Sequence, residues 1–122
     1  MKSILIVDDN RLLRRCIHQL FEEEHDFEVC GEAENGREAL QMAQQLHPDA
    51  ILLDLAMPVM NGLDAARVLR RSMPETTLIL FSSYTSELPD LEAQSAGFAA
   101  QVSKSENIAT LIGKARELLC VA

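Results

Sequence analysis

Apolar and polar positions alternate along this chain in blocks of two periods. Ser3–Val7, Asp49–Asp54 and Thr77–Phe81 are short, apolar and rich in Val, Ile and Leu, Phe27–Ala33 and Phe98–Val102 are short and more mixed, and turn residues bound them. Such runs predict strands buried on one or both faces. Between them apolar residues recur at helical spacing. Leu12, Leu13, Cys16, Ile17, Leu20 and Phe21 predict a helix over Arg11–Glu24, and Ala39, Leu40, Met42, Ala43 and Leu46 one that follows Asn35 and runs to about Leu46. Leu63, Ala66, Val68 and Leu69 predict a helix over Gly62–Arg71. A weaker pattern over Glu87–Ser95 carries Pro89 near its start and Gly97 past its end, and it is expected to be the most mobile part of the chain, through Thr85–Gly97. Ile108, Leu111, Ile112, Ala115, Leu118 and Leu119 give the last helix its apolar face. Asn10 or Asp9, and Asn107 or Ser105, stand where helix caps belong, and Asn35 precedes the second helix.

Five strands alternating with five helices predict right-handed βαβ units, hence an α/β fold with a doubly wound, five-stranded parallel sheet. Strand order 2-1-3-4-5 is the common choice for a sheet of this size, and it reverses the winding between strands 1 and 3. Open α/β sheets place their chemistry beyond the C-terminal ends of the strands at such a reversal. There the sequence places acids. Ile4-Leu5-Ile6-Val7 ends on Asp8-Asp9, and Ile51-Leu52-Leu53 ends on Asp54 before Pro58 and Asn61-Gly62 break the chain. Strand 4 ends on Ser82-Ser83 and strand 5 on Ser103-Lys104.

Three neighbouring carboxylates repel one another unless a cation compensates. A hard divalent ion suits such an oxygen-rich site. Mg²⁺ fits well, since it needs only one or two carboxylates and keeps several waters. With Lys104 as a second positive charge and Ser82 as a hydroxyl donor, Asp54 becomes a candidate nucleophile for phosphoryl transfer. The same group of residues is also suited to holding a phosphate without reacting with it.

Composition narrows the field. The 122 residues suffice for one domain, 1–122. With 19 acidic and 11 basic side chains the formal net charge is -8, which argues against binding a phosphate backbone through bulk charge. The arginines at 67, 70 and 71 read as the outer face of the third helix. Three widely spaced cysteines without a CxxC pair read as reduced thiols. The absence of a secretory leader pattern and of a long apolar run points to a cytoplasmic setting without membrane contact. The glycines are too scattered for a nucleotide loop, no GxSxG elbow supports a serine-hydrolase triad, and His18, His25 and His47 have no ligand spacing.

Ile6-Val7-Asp8-Asp9, Asp54-Leu55-Ala56-Met57-Pro58, Met60-Asn61-Gly62, Ser82 and Lys104, in this order and spacing, strongly resemble the receiver domain of bacterial two-component response regulators. The resemblance runs from Lys2 to about Leu119. Pro74-Glu75-Thr76-Thr77 and the 28 positions from Asp54 to Ser82 look most like receivers that precede a LuxR-type helix-turn-helix domain. The resemblance implies a flavodoxin-like (βα)5 fold. It implies that Asp54 takes a phosphoryl group from the phosphohistidine of a sensor histidine kinase. It also implies that Asp8 and Asp9, with Asp54 and the main-chain carbonyl of Ala56, hold Mg²⁺. Ser82 matches the switch hydroxyl and Lys104 the invariant lysine of the family.

By the same resemblance, a homodimer through the last helices is expected, together with transcriptional output through a DNA-binding domain that would follow this one. Phosphotransfer and self-hydrolysis would be autocatalytic, without a conventional enzyme class. Four positions depart from the pattern. Gln101 stands where Tyr or Phe is usual, Ala100 where glycine is common, Ser83 where alanine is usual, and Ser105 where many members have proline, so a trans Lys104–Ser105 bond is expected. Ala56 and Tyr84, two residues beyond Asp54 and Ser82, match positions that flank the phosphoryl group, and Ala56 offers no group to orient a water. The alternative reading is a pseudo-receiver, a protein-binding module that no longer responds to phosphate. A small Mg-dependent phosphohydrolase is disfavoured because the chain has no cap domain.

Overall fold

The computed structural model describes residues 1–83 and 88–121. Its strands are β1 (Lys2–Val7), β2 (Phe27–Ala33), β3 (Ala50–Leu53), β4 (Thr77–Ser82) and β5 (Phe98–Ser103). Its helices are α1 (Arg11–Glu22), α2 (Gly36–Leu46), α3 (Gly62–Ser72), α4 (Asp90–Ala96) and α5 (Ile108–Leu118). The strands form one sheet in the order β2-β1-β3-β4-β5, and every pairing is parallel. This is the doubly wound α/β sheet with the expected order.

Alternation along the strands divides the core in two. Leu5, Val7, Ile51, Leu53, Leu78 and Leu80 face one side, where Ala39, Ala43, Ala65, Ala66, Ala93 and Ala96 let α2, α3 and α4 approach closely. Ile4, Ile6, Leu52, Ile79 and Phe81 face the other, against Ile17 and Phe21 of α1 and Leu111 and Ala115 of α5. The central strand β3 is only four residues long and wholly buried. That suits the continuous apolar run expected of a strand covered on both faces.

Asparagine begins four of the helices. The side chains of Asn10, Asn35, Asn61 and Asn107 accept from the main-chain N–H of Leu13, Glu38, Asp64 and Ala109. The helix boundaries differ from expectation by one residue at the ends of α3 and α4, and by more at the end of α1 and the start of α4. α1 ends at Glu22, because Glu22-Glu23-Glu24 put like charge on its C-terminal turn, where the helix dipole favours cations. α4 starts at Asp90, with Pro89 before it and Gly97, at φ 105°, ending it. Glu87, Thr85 and Ser86, where the weaker helix and the mobile segment were expected to begin, lie outside the described residues. Leu12, Leu46 and Val68, expected on inner stripes, are exposed, and Cys16 is exposed as well. Leu12 and Cys16 are one turn apart on a side of α1 turned away from Ile17 and Phe21.

Candidate functional site

Strand register brings the acids together. Val7 pairs with Leu53, so Asp8 and Asp54 leave neighbouring strands at the same level. The Asp54 N–H donates to the Val7 carbonyl at 3.0 Å, and the Asp8 N–H to the Ala33 carbonyl of β2 at 3.0 Å. On the far side Ser82 pairs with Ser103, and the Lys104 N–H donates to the Ser82 carbonyl at 2.7 Å. All four side chains therefore emerge at the C-terminal edge of the sheet, around the reversal between β1 and β3.

Asp8 and Asp54 are buried, while Asp9 is exposed. One carboxylate oxygen from each of the three lies within 4.8 Å of the others, a spacing that a small divalent cation can bridge. The donor set is all oxygen and anionic, which fits Mg²⁺ and gives no reason to prefer a softer metal. Ala56 lies in an exposed bend two residues after Asp54. Lys104 closes the group: its Nζ is 2.9 Å from Asp8 Oδ2 and 3.2 Å from Asp54 Oδ1.

These charges tune one another. Burial, and then the charge of Asp8, raise the Asp54 pKa from 3.8 to about 6, although Lys104 and the Leu55 N–H work in the opposite direction. Burial disfavours the Lys104 ammonium, but its hydrogen bond to Asp8 and the charges of Asp8 and Asp54 outweigh that, and its pKa is raised. Asp54 is thus ionised at neutral pH yet poorly solvated, a suitable state for a nucleophile.

The loop from Leu55 to Asn61 is held against the sheet edge. The Gly62 N–H donates to the Leu55 carbonyl at 2.8 Å, and the Gly36 N–H to the Met60 carbonyl at 2.9 Å. A Cβ on Gly62 would lie 2.0 Å from the Asp54 carbonyl oxygen, so only glycine allows α3 to start this close to the acid. Val59 is at φ 69°, with the Met60 N–H bonded to the Pro58 carbonyl at 2.7 Å, a tight three-residue turn.

Ser82 is fully buried, and its Oγ donates to Gln101 Oε1 at 3.4 Å. Ser83 beside it is half-buried. No cis peptide bond is present among the described residues, so the Lys104–Ser105 bond is trans as expected. Tyr84 lies outside the described residues. His18 lies in α1, His25 in the turn after it and His47 at the end of α2, and His18 is half-buried against Glu32.

Sequence reading missed two groups. Arg14 Nη1 donates to the Asp8 carbonyl at 2.6 Å, while its Nε bonds Glu32 at 2.8 Å. Glu32 also meets Arg15 at 3.2 Å and His18 at 2.5 Å. The available signal was position: Arg14 falls on the same helix stripe as Ile17 and Phe21, an unusual place for a cation without a partner. The second group is the carboxamide of Gln101, bonded to both polar atoms of the Leu88 main chain.

Comparison with known proteins agrees with this geometry. The profile of the response regulator receiver domain matches residues 4–116. A protein-glutamate methylesterase/protein-glutamine glutaminase from Nocardioides sp. is 35% identical over 116 residues, covering 93% of this chain and 31% of that protein. The uncharacterized transcriptional regulatory protein YhcZ of Bacillus subtilis is 32% identical, over 87% of this chain and 51% of its own length. Among solved structures, the response regulator domain of Thermotoga maritima CheB superposes with a TM-score of 0.90 at 28% identity, over 100% of this chain and 98% of that one. A LuxR-family DNA-binding response regulator from Staphylococcus aureus superposes with a TM-score of 0.88 at 26% identity, over 98% of this chain and 99% of the solved chain. The chain thus spans about a third of one curated relative and about half of the other. It belongs to the response regulator receiver family, the phosphoacceptor domains of two-component signalling.

Proposed function

We propose that Asp54 is the acceptor of this receiver and that Asp8, Asp9 and Asp54, with the main-chain carbonyl of Ala56, hold Mg²⁺. The observation that carries this reading is the meeting of three carboxylate oxygens within 4.8 Å, with Lys104 bonded to two of the acids. An Asp54 carboxylate oxygen attacks the phosphorus of a phosphohistidine. A P–O bond to Asp54 forms, the P–N bond breaks, and the imidazole nitrogen leaves with the electron pair. Mg²⁺, when bound, neutralises phosphoryl oxygens as charge builds on them. Lys104 is within reach of a second oxygen once it releases Asp54. The Ser82 hydroxyl, at the end of the neighbouring strand, donates to a third.

The donor is a sensor histidine kinase, and the setting is the cytoplasm; no helix among the described residues is long and apolar enough to cross a membrane. Residues 1–122 act as one phosphoacceptor unit that controls a partner or a following domain. The LuxR-family neighbours favour a DNA-binding output, and the receiver itself, at net charge -8, leaves nucleic acid to that domain. The face of α4, β5 and α5 is the expected dimer surface.

The experiment is incubation with a small acyl-phosphate donor, with and without Mg²⁺, followed by intact mass, with D54N as control. A Mg-dependent adduct that D54N lacks is expected. Failure to form it in folded protein that binds Mg²⁺ would favour the pseudo-receiver reading.

A further inference from the structure

Gln101 stands in β5 opposite Leu80 of β4, two residues before the Ser103 that pairs with Ser82. Its half-buried carboxamide reaches the segment that leads into α4. Oε1 accepts from the Leu88 N–H at 2.9 Å, and Nε2 donates to the Leu88 carbonyl at 2.8 Å. The two bonds fix which end of the amide is oxygen, because the flipped amide would set N–H against N–H. Pro89 and Asp90 follow at once, so Leu88 stands directly before the start of α4. The same Oε1 also accepts the Ser82 hydroxyl, at a longer 3.4 Å. One oxygen therefore serves two donors, one on the switch serine and one on the approach to α4. A phenyl or phenol ring at position 101 has no group that could make the paired bonds to Leu88.

We propose that Gln101 is the positioning residue that relays the state of Ser82 to α4, its carboxamide oxygen being shared between the Ser82 hydroxyl and the Leu88 N–H. The proposal rests on the reading of Asp54 as acceptor. Ser82 has one hydroxyl proton. When it is donated to a phosphoryl oxygen on Asp54, the long bond to Gln101 is given up. Oε1 then serves Leu88 alone, and a carbonyl oxygen binds one donor more strongly than either of two competing ones. The hold on Leu88 tightens, and the start of α4 is more firmly fixed in the phosphorylated protein than in the resting one.

The Leu88 amide proton reports this directly. Its chemical shift and solvent exchange are followed by NMR in the resting protein and in excess acyl phosphate with Mg²⁺, while intact mass records the adduct in each sample. In the wild type, phosphorylation is expected to move the Leu88 proton downfield and slow its exchange. S82A, with no hydroxyl to compete, shows the tightened Leu88 signal before any phosphoryl group is added. Q101L exchanges Leu88 about tenfold faster, the scale of one lost hydrogen bond, and phosphorylation leaves that rate unchanged. An adduct on Asp54 with an unmoved or faster-exchanging Leu88 amide overturns the relay and leaves the acceptor reading intact. A resting S82A spectrum identical to wild type at Leu88 overturns it as well, whether or not Q101L folds. Absence of the adduct overturns the acceptor reading and the relay with it.

Discussion

Lys104 Nζ stands 3.2 Å from Asp54 Oδ1, and the pair is buried enough that each charge depends on the other. Asp54 has little water to stabilise its anion, and Asp8 lies beside it. Removing the ammonium in K104Q leaves two carboxylates facing one another. An opposite charge at this range lowers a carboxylate pKa by roughly one to three units, so the Asp54 pKa is expected to climb above its present value of about 6 by about that much. An NMR titration of the Asp54 carboxyl carbon without Mg²⁺ measures it. An unchanged midpoint in K104Q would show that the pair contributes nothing to the ionisation of Asp54.

Asp54 also makes stability depend on pH. Its folded pKa, about 6, lies above the 3.8 of an unperturbed carboxyl. Between these values the folded chain binds more protons than the unfolded one, so stability falls as pH rises through that window. Above it the buried anion's full cost is carried by the folded chain. D54N removes the penalty. Its Tm is expected to exceed wild type by several degrees at pH 7.5 and to match it below about pH 4. Mg²⁺ compensates the same charge, so adding it raises the wild-type Tm and narrows the gap. Equal melting of the two proteins at every pH would refute the assigned cost.

The acids and the lysine were legible because each rests on a local pattern, an apolar run, then a charged residue, then a turn; the strand order was not in the pattern and came from the usual arrangement of small doubly wound sheets. Register supplied the rest once β1 lay beside β3. Leu12 was misread for the opposite reason. Its spacing fits a stripe with Cys16, but the sheet takes only the side of α1 that carries Ile17 and Phe21, and Leu12 is 84% exposed. The Gln101–Leu88 bonds join main-chain atoms to a side chain 13 positions away, and no period in the sequence encodes that. Gln101 was visible only as a departure from the family's aromatic residue, and its role needed coordinates.

Gly62 is the tightest steric constraint on the acceptor. A methyl group at its Cα would meet the Asp54 carbonyl oxygen at 2.0 Å, and the obstacle is main chain that cannot rotate aside. G62A forces α3 away from the end of β3. Overpacking of this kind costs about 1 to 3 kcal/mol or more. Urea unfolding is expected to show at least that loss, and the folded fraction of G62A should take up phosphoryl groups more slowly, because Asp54 is displaced. A G62A protein of wild-type stability would mean that the loop yields easily.

The lifetime of the phosphoryl group is a separate property, set by whatever can orient water beside it. Ala56 is exposed, two residues past Asp54, and its methyl group can neither donate nor accept. A slowly dephosphorylating receiver is expected. A56N adds a carboxamide there, and the decay of the adduct followed by intact mass should quicken several-fold. An unchanged decay would remove Ala56 as the cause.

Glu32 couples the edge of the sheet to the first acid. It pairs with Leu5's neighbour Ile6 across β1 and β2, and its carboxylate takes Arg14 at 2.8 Å, while Arg14 bonds the Asp8 carbonyl. Burial alone would raise the Glu32 pKa, but the hydrogen bonds from His18 and Arg14 more than reverse this and lower it from 4.5. The sign is opposite to that of Asp54. Stability from Glu32 is present above its unfolded pKa and is lost as pH falls through the lower, folded value. E32Q keeps the shape but drops the charge. A partly buried network of this kind is worth about 1 to 3 kcal/mol, so E32Q should unfold at lower urea than wild type at pH 7. The gap should shrink in acid, where wild type loses the charge too. Because a neutral carboxamide holds Arg14 less firmly than the carboxylate does, and Arg14 bonds the Asp8 carbonyl, Mg²⁺ affinity is also expected to fall in E32Q, by less than in D8N. Calorimetry with Mg²⁺ separates the two effects: a stability loss with unchanged Mg²⁺ affinity would confine Glu32 to packing β2 against α1.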